Sequence, residues 1–348
     1  MGQKIPTTTD EFYNILKLLK ENDMNGNGNR NDEIPFSFQQ GGSQFSLKSM
    51  FGSFGVLDNA EHLQVMNGTV VFTPSRPEFR EALEYFNKLY SEGLMDDEGF
   101  SQSEQQYVAK ARETPAVYGS FMANIISNVV DNDKVDNYTP IAPLKGPAGI
   151  RLWNRERISP VAVTGMAITK KCKSPETLIR LYDYVNSSYD SIMLWYLGPE
   201  NVAWERDSLG RWVALYNNIP QGSTWEELWY TVGVGSNGMQ FAGLINLNDP
   251  NVRSVEGDAN LLNKLRMMAL QEPFFPAEFL PLGLEDQDVV RERSILYADI
   301  NTYVRNFIPN AVKYGLTDTQ WNEHLRNIER LNIPRYVQPY QELYDRSR

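Results

Sequence analysis

The chain has 348 residues, of which 41% are hydrophobic and 22% charged, and it carries a net charge of −11. That composition is globular and long enough for one large core or two smaller ones, and its acidity argues against nucleic acid and anionic lipid, which both need a basic footprint. The single cysteine, Cys172, excludes an internal disulfide, a CxxC redox pair and a Cys₄ zinc site, and His62 and His324 have no HExxH-type spacing.

No run is apolar and long enough to span a bilayer, and the opening MGQKIPTTTDEF has no hydrophobic centre of the kind a signal peptide needs. TTTDEFYNILKLLKEND predicts an amphipathic helix with Thr9 or Asp10 as its cap and Phe12, Ile15, Leu16 and Leu19 on one face. GTVVFTPSRPEFREALEYFNKLYSEG predicts a short strand, a proline-marked turn and a helix. Ser75 is its candidate cap, Phe79, Leu83, Phe86 and Tyr90 its apolar stripe, and Gly93 its stop. TPAVYGSFM and YTPIAPLKGPAG predict short buried segments, and ISPVAVTGMAIT a β-rich run. KSPETLIRLYDYV follows as a helix with Ser174 at the cap, Pro175 at N1, and Leu178, Leu181, Tyr182 and Val185 on a shared face. Residues 202–243, rich in Trp and Gly without a long period, predict mostly loop. Helix returns after Gly257: Leu296, Ile300, Val304 and Phe307 form one stripe, and Thr317 with Gln320 reads as a capping box. There is no internal repeat.

The stretch ENDMNGNGNRNDEIP, residues 21–35, supplies more oxygen-bearing side chains than a turn requires. A hard cation such as Ca²⁺ takes six or more oxygens at short range. With Asp23 as first ligand, Asn25 and Asn27 fall at the third and fifth positions, Gly28 at the sixth and the Asn29 carbonyl at the seventh, as in the first half of an EF-hand loop. The ending departs from that pattern: Ile34 stands at the twelfth position, where an EF-hand has a bidentate Glu, so Asp32 and Glu33 must close the site earlier. A structural rather than catalytic Ca²⁺ is expected here; the alternative is a solvated Asn-Gly turn.

This helix and loop resemble the signature of the extracellular solute-binding proteins, family 1, the carbohydrate-capturing lipoprotein subunits of ABC importers. The likeness continues through MFGSFGV, NGTVVFTPSRPEFREALEYFNKLYSEGLMDDEGFSQ, ITKKCKSPETLIRLYDYVNS, YLGPENVAWERDSLGRW and the C-terminal block ADINTYVRNFIPNAVKYGLTDTQWNEHLRNIERLNIPRYVQPYQELYDR. The resemblance implies an α/β, two-lobe periplasmic-binding-protein-like (type II) fold whose lobes close on a ligand without breaking a bond. It also implies that the equivalent loop binds calcium through Asp23, Asn25, Asn27, the Asn29 carbonyl and the Asp32–Glu33 pair. Family members begin with a lipoprotein signal, a lipidated cysteine and most of the first lobe. Against that pattern the chain reads as N-terminally truncated, starting just after the first crossing between lobes. Residues 1–141 would be the first part of the second lobe, 142–200 a remnant of the first lobe, and 201–348 the rest of the second. The implied partners are an oligosaccharide, a membrane permease pair and its ATPase. A monomer is expected, held outside the cell membrane by a lipid anchor in the full-length parent.

Sugars present flat apolar faces ringed by hydroxyls, so a sugar site needs aromatic platforms with polar groups around them. Among 7 Trp and 18 Tyr, the candidates are the loop residues Trp153, Trp204, Trp225 and Trp229, with Tyr118 and Phe121 in VYGSFM, and Arg157 as a donor to hydroxyls. Trp195 and Trp321 sit in helical patterns and read as core. The rival enzyme reading, a glycoside hydrolase, needs two facing carboxylates. Glu226 and Glu227 in WEELW are adjacent, and adjacent helical residues do not share a face. A surface protein that binds peptides or other carbohydrates is the remaining alternative. If the missing strands are truly absent, the remnant lobe would expose sheet edges and apolar surface, and the chain is expected to aggregate. A sharp, monomeric unfolding transition seen by calorimetry and sedimentation would contradict that expectation.

Overall fold

A computed structural model describes residues 4–41, 45–154, 168–220, 225–233, 249–256, 258–281 and 286–348. It divides into two compact units: unit 1 is Met1–Glu156 with Asn263–Arg348, and unit 2 is Arg157–Leu262. The divisions fall at 156/157 and 262/263. Two sets of contacts fit them. Residues 145–154 run along unit 1, with Lys145 N donating to Thr7 O and Leu152 N to Gly52 O, while residues 204–214 pack against the helix that precedes them in unit 2.

Unit 1 is layered around short parallel pairings. Residues 34–37 lie between residue 95 on one side and residues 118–121 on the other, through parallel bridges Phe36–Met95, Ile34–Tyr118 and Ser37–Phe121. Their backbone bonds include Asp96 N to Phe36 O at 2.8 Å, Ile34 N to Val117 O at 2.8 Å and Ser37 N to Ser120 O at 2.9 Å. The predicted first helix, α1 (Thr9–Glu21), packs Phe12 edge-on against Phe36 with ring centroids 5.4 Å apart. Its cap is Thr8, not Thr9 or Asp10: the Thr8 hydroxyl accepts from Glu11 N, and Glu11 reaches back to Thr7 N. A hairpin of β1 (Leu63–Met66) and β2 (Thr69–Phe72) precedes α2 (Pro77–Ser91). α2 starts after Arg76 with Pro77 at N1 and has no side-chain cap, so Ser75 does not serve. Helix α3 (Glu104–Ala111) opens on a Ser103–Gln106 capping box.

Unit 2 holds α4 (Pro175–Val185), α5 (Tyr189–Leu197), the hairpin of β3 (Trp204–Arg206) and β4 (Trp212–Ala214), and α6 (Trp225–Val232). These last three elements occupy the stretch expected to be mostly loop. Their signal was masked by brevity: two three-residue strands around an Asp207–Gly210 turn show no measurable alternation. Of the shared face predicted on α4, Val185 is buried, whereas Leu178 and Leu181 are 39% and 42% exposed. The β-rich run ISPVAVTGMAIT lies almost wholly outside the described residues.

The chain re-enters unit 1 along α7 (Ala259–Gln271) and finishes with α8 (Gln287–Tyr314), α9 (Asp318–Arg330) and α10 (Ile333–Arg346). Ile300, Val304 and Ile308 of α8 bury against the core that also takes Phe79, Leu83 and Phe86 of α2. α9 begins with the predicted Thr317–Gln320 capping box. α10 clasps the β1–β2 hairpin: Val70 N donates to the Gln341 side chain, which donates to Gly68 O, and Tyr344 donates to Glu278. No helix among the described residues is long and apolar enough to cross a membrane.

His324 on α9 is 1% exposed and stacks on Phe307, with centroids 3.7 Å apart. Nε2 lies 2.9 Å from Pro74 O and Nδ1 2.9 Å from the Tyr303 hydroxyl, so the neutral ring with its proton on Nε2 satisfies both partners. Burial lowers its pKa from 6.5 to about 4. The folded chain therefore favours neutral His324, and this contribution is complete above about pH 6.5 and lost as the pH falls toward 4. Urea unfolding is expected to show stability falling by on the order of 3 kcal/mol across that window, and His324→Phe to flatten the slope. A wild-type stability constant from pH 7 to 4.5 would contradict this.

Candidate functional site

The Asn/Gly loop folds into a closed turn at the end of α1. Asp23 accepts from the backbone N–H groups of Gly26 (2.7 Å), Asn27 (3.2 Å) and Gly28 (2.7 Å). Gly26 and Gly28 have φ of +74° and +86°, a region that only glycine enters freely, which is why the loop can curl this tightly. Glu33 folds back to accept from Met24 N at 2.7 Å and Asn25 N at 3.3 Å. Asp32 accepts from the side chains of Asn27 and Asn25, and the Asn27 amide holds its carboxyl below the ordinary carboxylate range.

The loop closes at its eleventh position because the twelfth is already committed. Ile34 donates its N–H to Val117 O and accepts from Gly119 N, so it begins the parallel pairing. Two oxygens are left over: Asp32 Oδ1 and Glu33 Oε2 are shielded from solvent without a hydrogen-bond partner. A cation is the natural partner for such oxygens, so the donor set fits a hard divalent ion. Asp, Glu, His and Cys alone do not form a group of three suited to a metal among the described residues. The ion would therefore depend on the asparagine side chains and the Asn29 carbonyl as well.

The sugar candidates separate by burial. Trp204 is 2% exposed, its indole donates to Gly198 O, and it packs with Met193, Leu197, Trp212 and Ala214. It is the centre of the unit 2 core, not a platform. Tyr118 is 4% exposed and donates its hydroxyl to Tyr107 O, so it too faces inward. Phe121 is half-buried at the carboxyl end of the parallel segment it shares with Tyr118. Trp229 is half-buried on α6, donates to Tyr196 O, and stacks on exposed Tyr230 at 5.2 Å and 18°. Trp153 is half-buried in unit 1, with its N–H bonded to Phe274 O at 2.8 Å. Arg157 lies outside the described residues, as does the side chain of Trp225.

Two features escaped sequence reading. Tyr138, seventeen residues beyond Phe121, meets its ring at 4.9 Å; no local period links them. Gly119 is a packing requirement, since a Cβ there would lie 2.8 Å from Leu19 Cδ1 and 3.1 Å from Pro35 O. Glu226 and Glu227 fall at adjacent positions of α6.

No family model matches the chain. It is 26% identical over 352 residues to the fructooligosaccharide ABC transporter substrate-binding protein FusA of Streptococcus pneumoniae serotype 4, covering 99% of this chain and 63% of that one. The solved structure of FusA in complex with kestose superposes with a TM-score of 0.82 over 99% of this chain and 69% of that chain. Along nearly its whole length the chain is similar to substrate-binding proteins of ABC transporters. Its fold is accordingly the α/β periplasmic-binding-protein-like class. Lipoprotein LipO of Bacillus subtilis is 24% identical over 204 residues, 56% of this chain and 39% of that one. An HMO-binding solute-binding protein of Bifidobacterium longum infantis shares the fold at 20% identity and a TM-score of 0.78, over 99% of this chain and 71% of that one. The chain thus spans less than two thirds of the length of the curated relatives that it matches.

Trp204→Ala is expected to remove about 3–5 kcal/mol from unit 2, as a buried tryptophan truncation does. Hydrogen exchange should show loss of protection in residues 189–214. Unchanged protection with lost ligand affinity would instead make Trp204 a platform.

Proposed function

We propose that this chain is the substrate-capturing part of an ABC importer and that it holds an oligosaccharide without cleaving it. The carrying observation is the similarity to FusA, at 26% identity and a TM-score of 0.82, along 99% of the chain. FusA has been solved with kestose bound, so fructooligosaccharides are the first ligands to test. Phe121, Trp229 with Tyr230, and Trp153 are the half-buried or exposed rings on which sugar faces would rest; Trp225 and Arg157 remain candidates from the sequence. Unit 1 corresponds to the second lobe of the family fold and unit 2 to part of the first. The importer's permease and ATPase are the partners, the protein acts as a monomer, and it sits outside the cell on a lipid anchor.

The reading includes a structural Ca²⁺ held by Asp23, Asn25, Asn27, the Asn29 carbonyl, Asp32 and Glu33. Its support is the pair of shielded, unpartnered carboxylate oxygens, together with a solved FusA variant described as an EF-hand mutant. The ion would offset two of the three carboxylate charges and fix the exit from α1 into residues 34–37.

Two melting experiments test these points. Excess Ca²⁺ over EDTA is expected to raise Tm by several degrees, as ligand concentrations far above Kd stabilise by a few kcal/mol, and Asp23→Ala should erase the difference. An identical Tm in both conditions would remove the ion. In Ca²⁺, kestose and longer fructooligosaccharides should raise Tm further, while tri- and tetrapeptides should not. A shift with peptides alone would reverse the assignment, and released monosaccharide would make the chain a hydrolase.

A further inference from the structure

A line of rings runs from the core of unit 1 to its surface. Phe45 and Tyr107, both fully buried, meet at 5.3 Å; Tyr107 meets Tyr118 at 5.5 Å; Tyr118 meets Phe121 at 6.4 Å; and Phe121 meets Tyr138 at 4.9 Å and 64°. The first three rings are buried and the last two are half-buried. Each inner hydroxyl has an internal partner: Tyr107 donates to Met122 O at 2.7 Å and Tyr118 to Tyr107 O at 3.1 Å.

Tyr138 continues the pattern with a consequence for its ligand chemistry. Its hydroxyl donates inward to Tyr118 O at 3.1 Å. The residue as a whole is half-buried, so with its hydroxyl bonded inward the ring is the part left to offer a ligand. It stands at the end of a short helical turn, Asn132–Asn137, anchored because Lys134 Nζ donates to the carbonyls of Arg112 and Glu113 and to the Thr114 hydroxyl. Residues 119–126 are all half-buried, an open floor at the carboxyl ends of the parallel segments, which is where open α/β sheets take their ligands. Asn128, whose Nδ2 donates a 3.2 Å hydrogen bond to Asn124 Oδ1, and Asn124 supply donors and acceptors on the same excursion of the chain.

Resting on the oligosaccharide reading, we propose that Phe121 and Tyr138 form an edge-to-face corner that seats one ring of the bound sugar. The apolar face of the sugar lies on one aromatic face and its rim against the other ring, and the inner line of rings keeps the corner rigid before the ligand arrives. Tyr138 contributes its ring and not its hydroxyl.

Calorimetric titration of the full chain with kestose and with a longer fructooligosaccharide tests this. Tyr138→Phe, which keeps the ring and gives up only the inward bond to Tyr118 O, is expected to weaken binding less than Tyr138→Leu. Tyr138→Ala and Tyr138→Leu are expected to lose about tenfold or more, the worth of one aromatic contact. The leucine variant keeps apolar bulk against Phe121, and its far-ultraviolet circular dichroism and melting curve establish that it folds. Wild-type affinity in the folded leucine variant overturns the corner while leaving the oligosaccharide reading intact. A loss in Tyr138→Phe as large as that in Tyr138→Leu also overturns it, because the ring would then add nothing beyond the hydroxyl. If wild type itself binds none of the sugars, the oligosaccharide reading falls and the corner with it.

Discussion

Residues 34–37 are the constraint on which unit 1 depends. They are paired in parallel on both sides, so every side chain in the stretch has a fixed direction. Phe36 and Phe38 go into the core with α1 and α2, and Ser37 donates at 2.7 Å to the buried carboxylate of Asp96. Asp96 also accepts from Gln102 and from Glu98 N, which ties the second parallel segment to the start of α3. Because Ile34 is already taken by this pairing, the loop before it must end with Glu33. Because Ser37 pairs with Phe121, that ring arrives at the open end of the same layer.

The loop and the ring corner are therefore two ends of one arrangement. At the amino end of the pairing, carboxylates and asparagines crowd around a backbone curl and leave two oxygens without donors. At the carboxyl end, aromatic rings emerge from the core with their hydroxyls already satisfied. An ion at the first end would stiffen the segment that positions the second. That is a structural role, and it fits a protein that captures a ligand and passes it on unchanged.

Much of unit 1 was legible in the sequence because its elements are long and periodic. The stripe of α2, the Thr317–Gln320 box and the Leu296–Phe307 stripe of α8 all carry local signals that tertiary packing reinforces. The curl of the loop was legible because Gly26 and Gly28 supply the positive φ that a tight turn needs. What failed was the exact cap of α1 and whatever is set by partners outside a residue's own local pattern. Thr8 rather than Thr9 caps α1 because Glu11 closes the box on Thr7 and Thr8. Trp204 looked like an exposed loop aromatic, yet a three-residue strand turns it into the unit 2 core. Tyr138 was invisible because its partner is seventeen residues away across a fold.

The most direct measurement is isothermal titration of the full chain with kestose in saturating Ca²⁺, followed by chromatography of the recovered sugar. A saturable, one-to-one binding isotherm with intact trisaccharide returned is the predicted result. A folded, Ca²⁺-loaded chain that gives no heat with kestose or any longer oligosaccharide, or that returns cleaved sugar, would contradict the account.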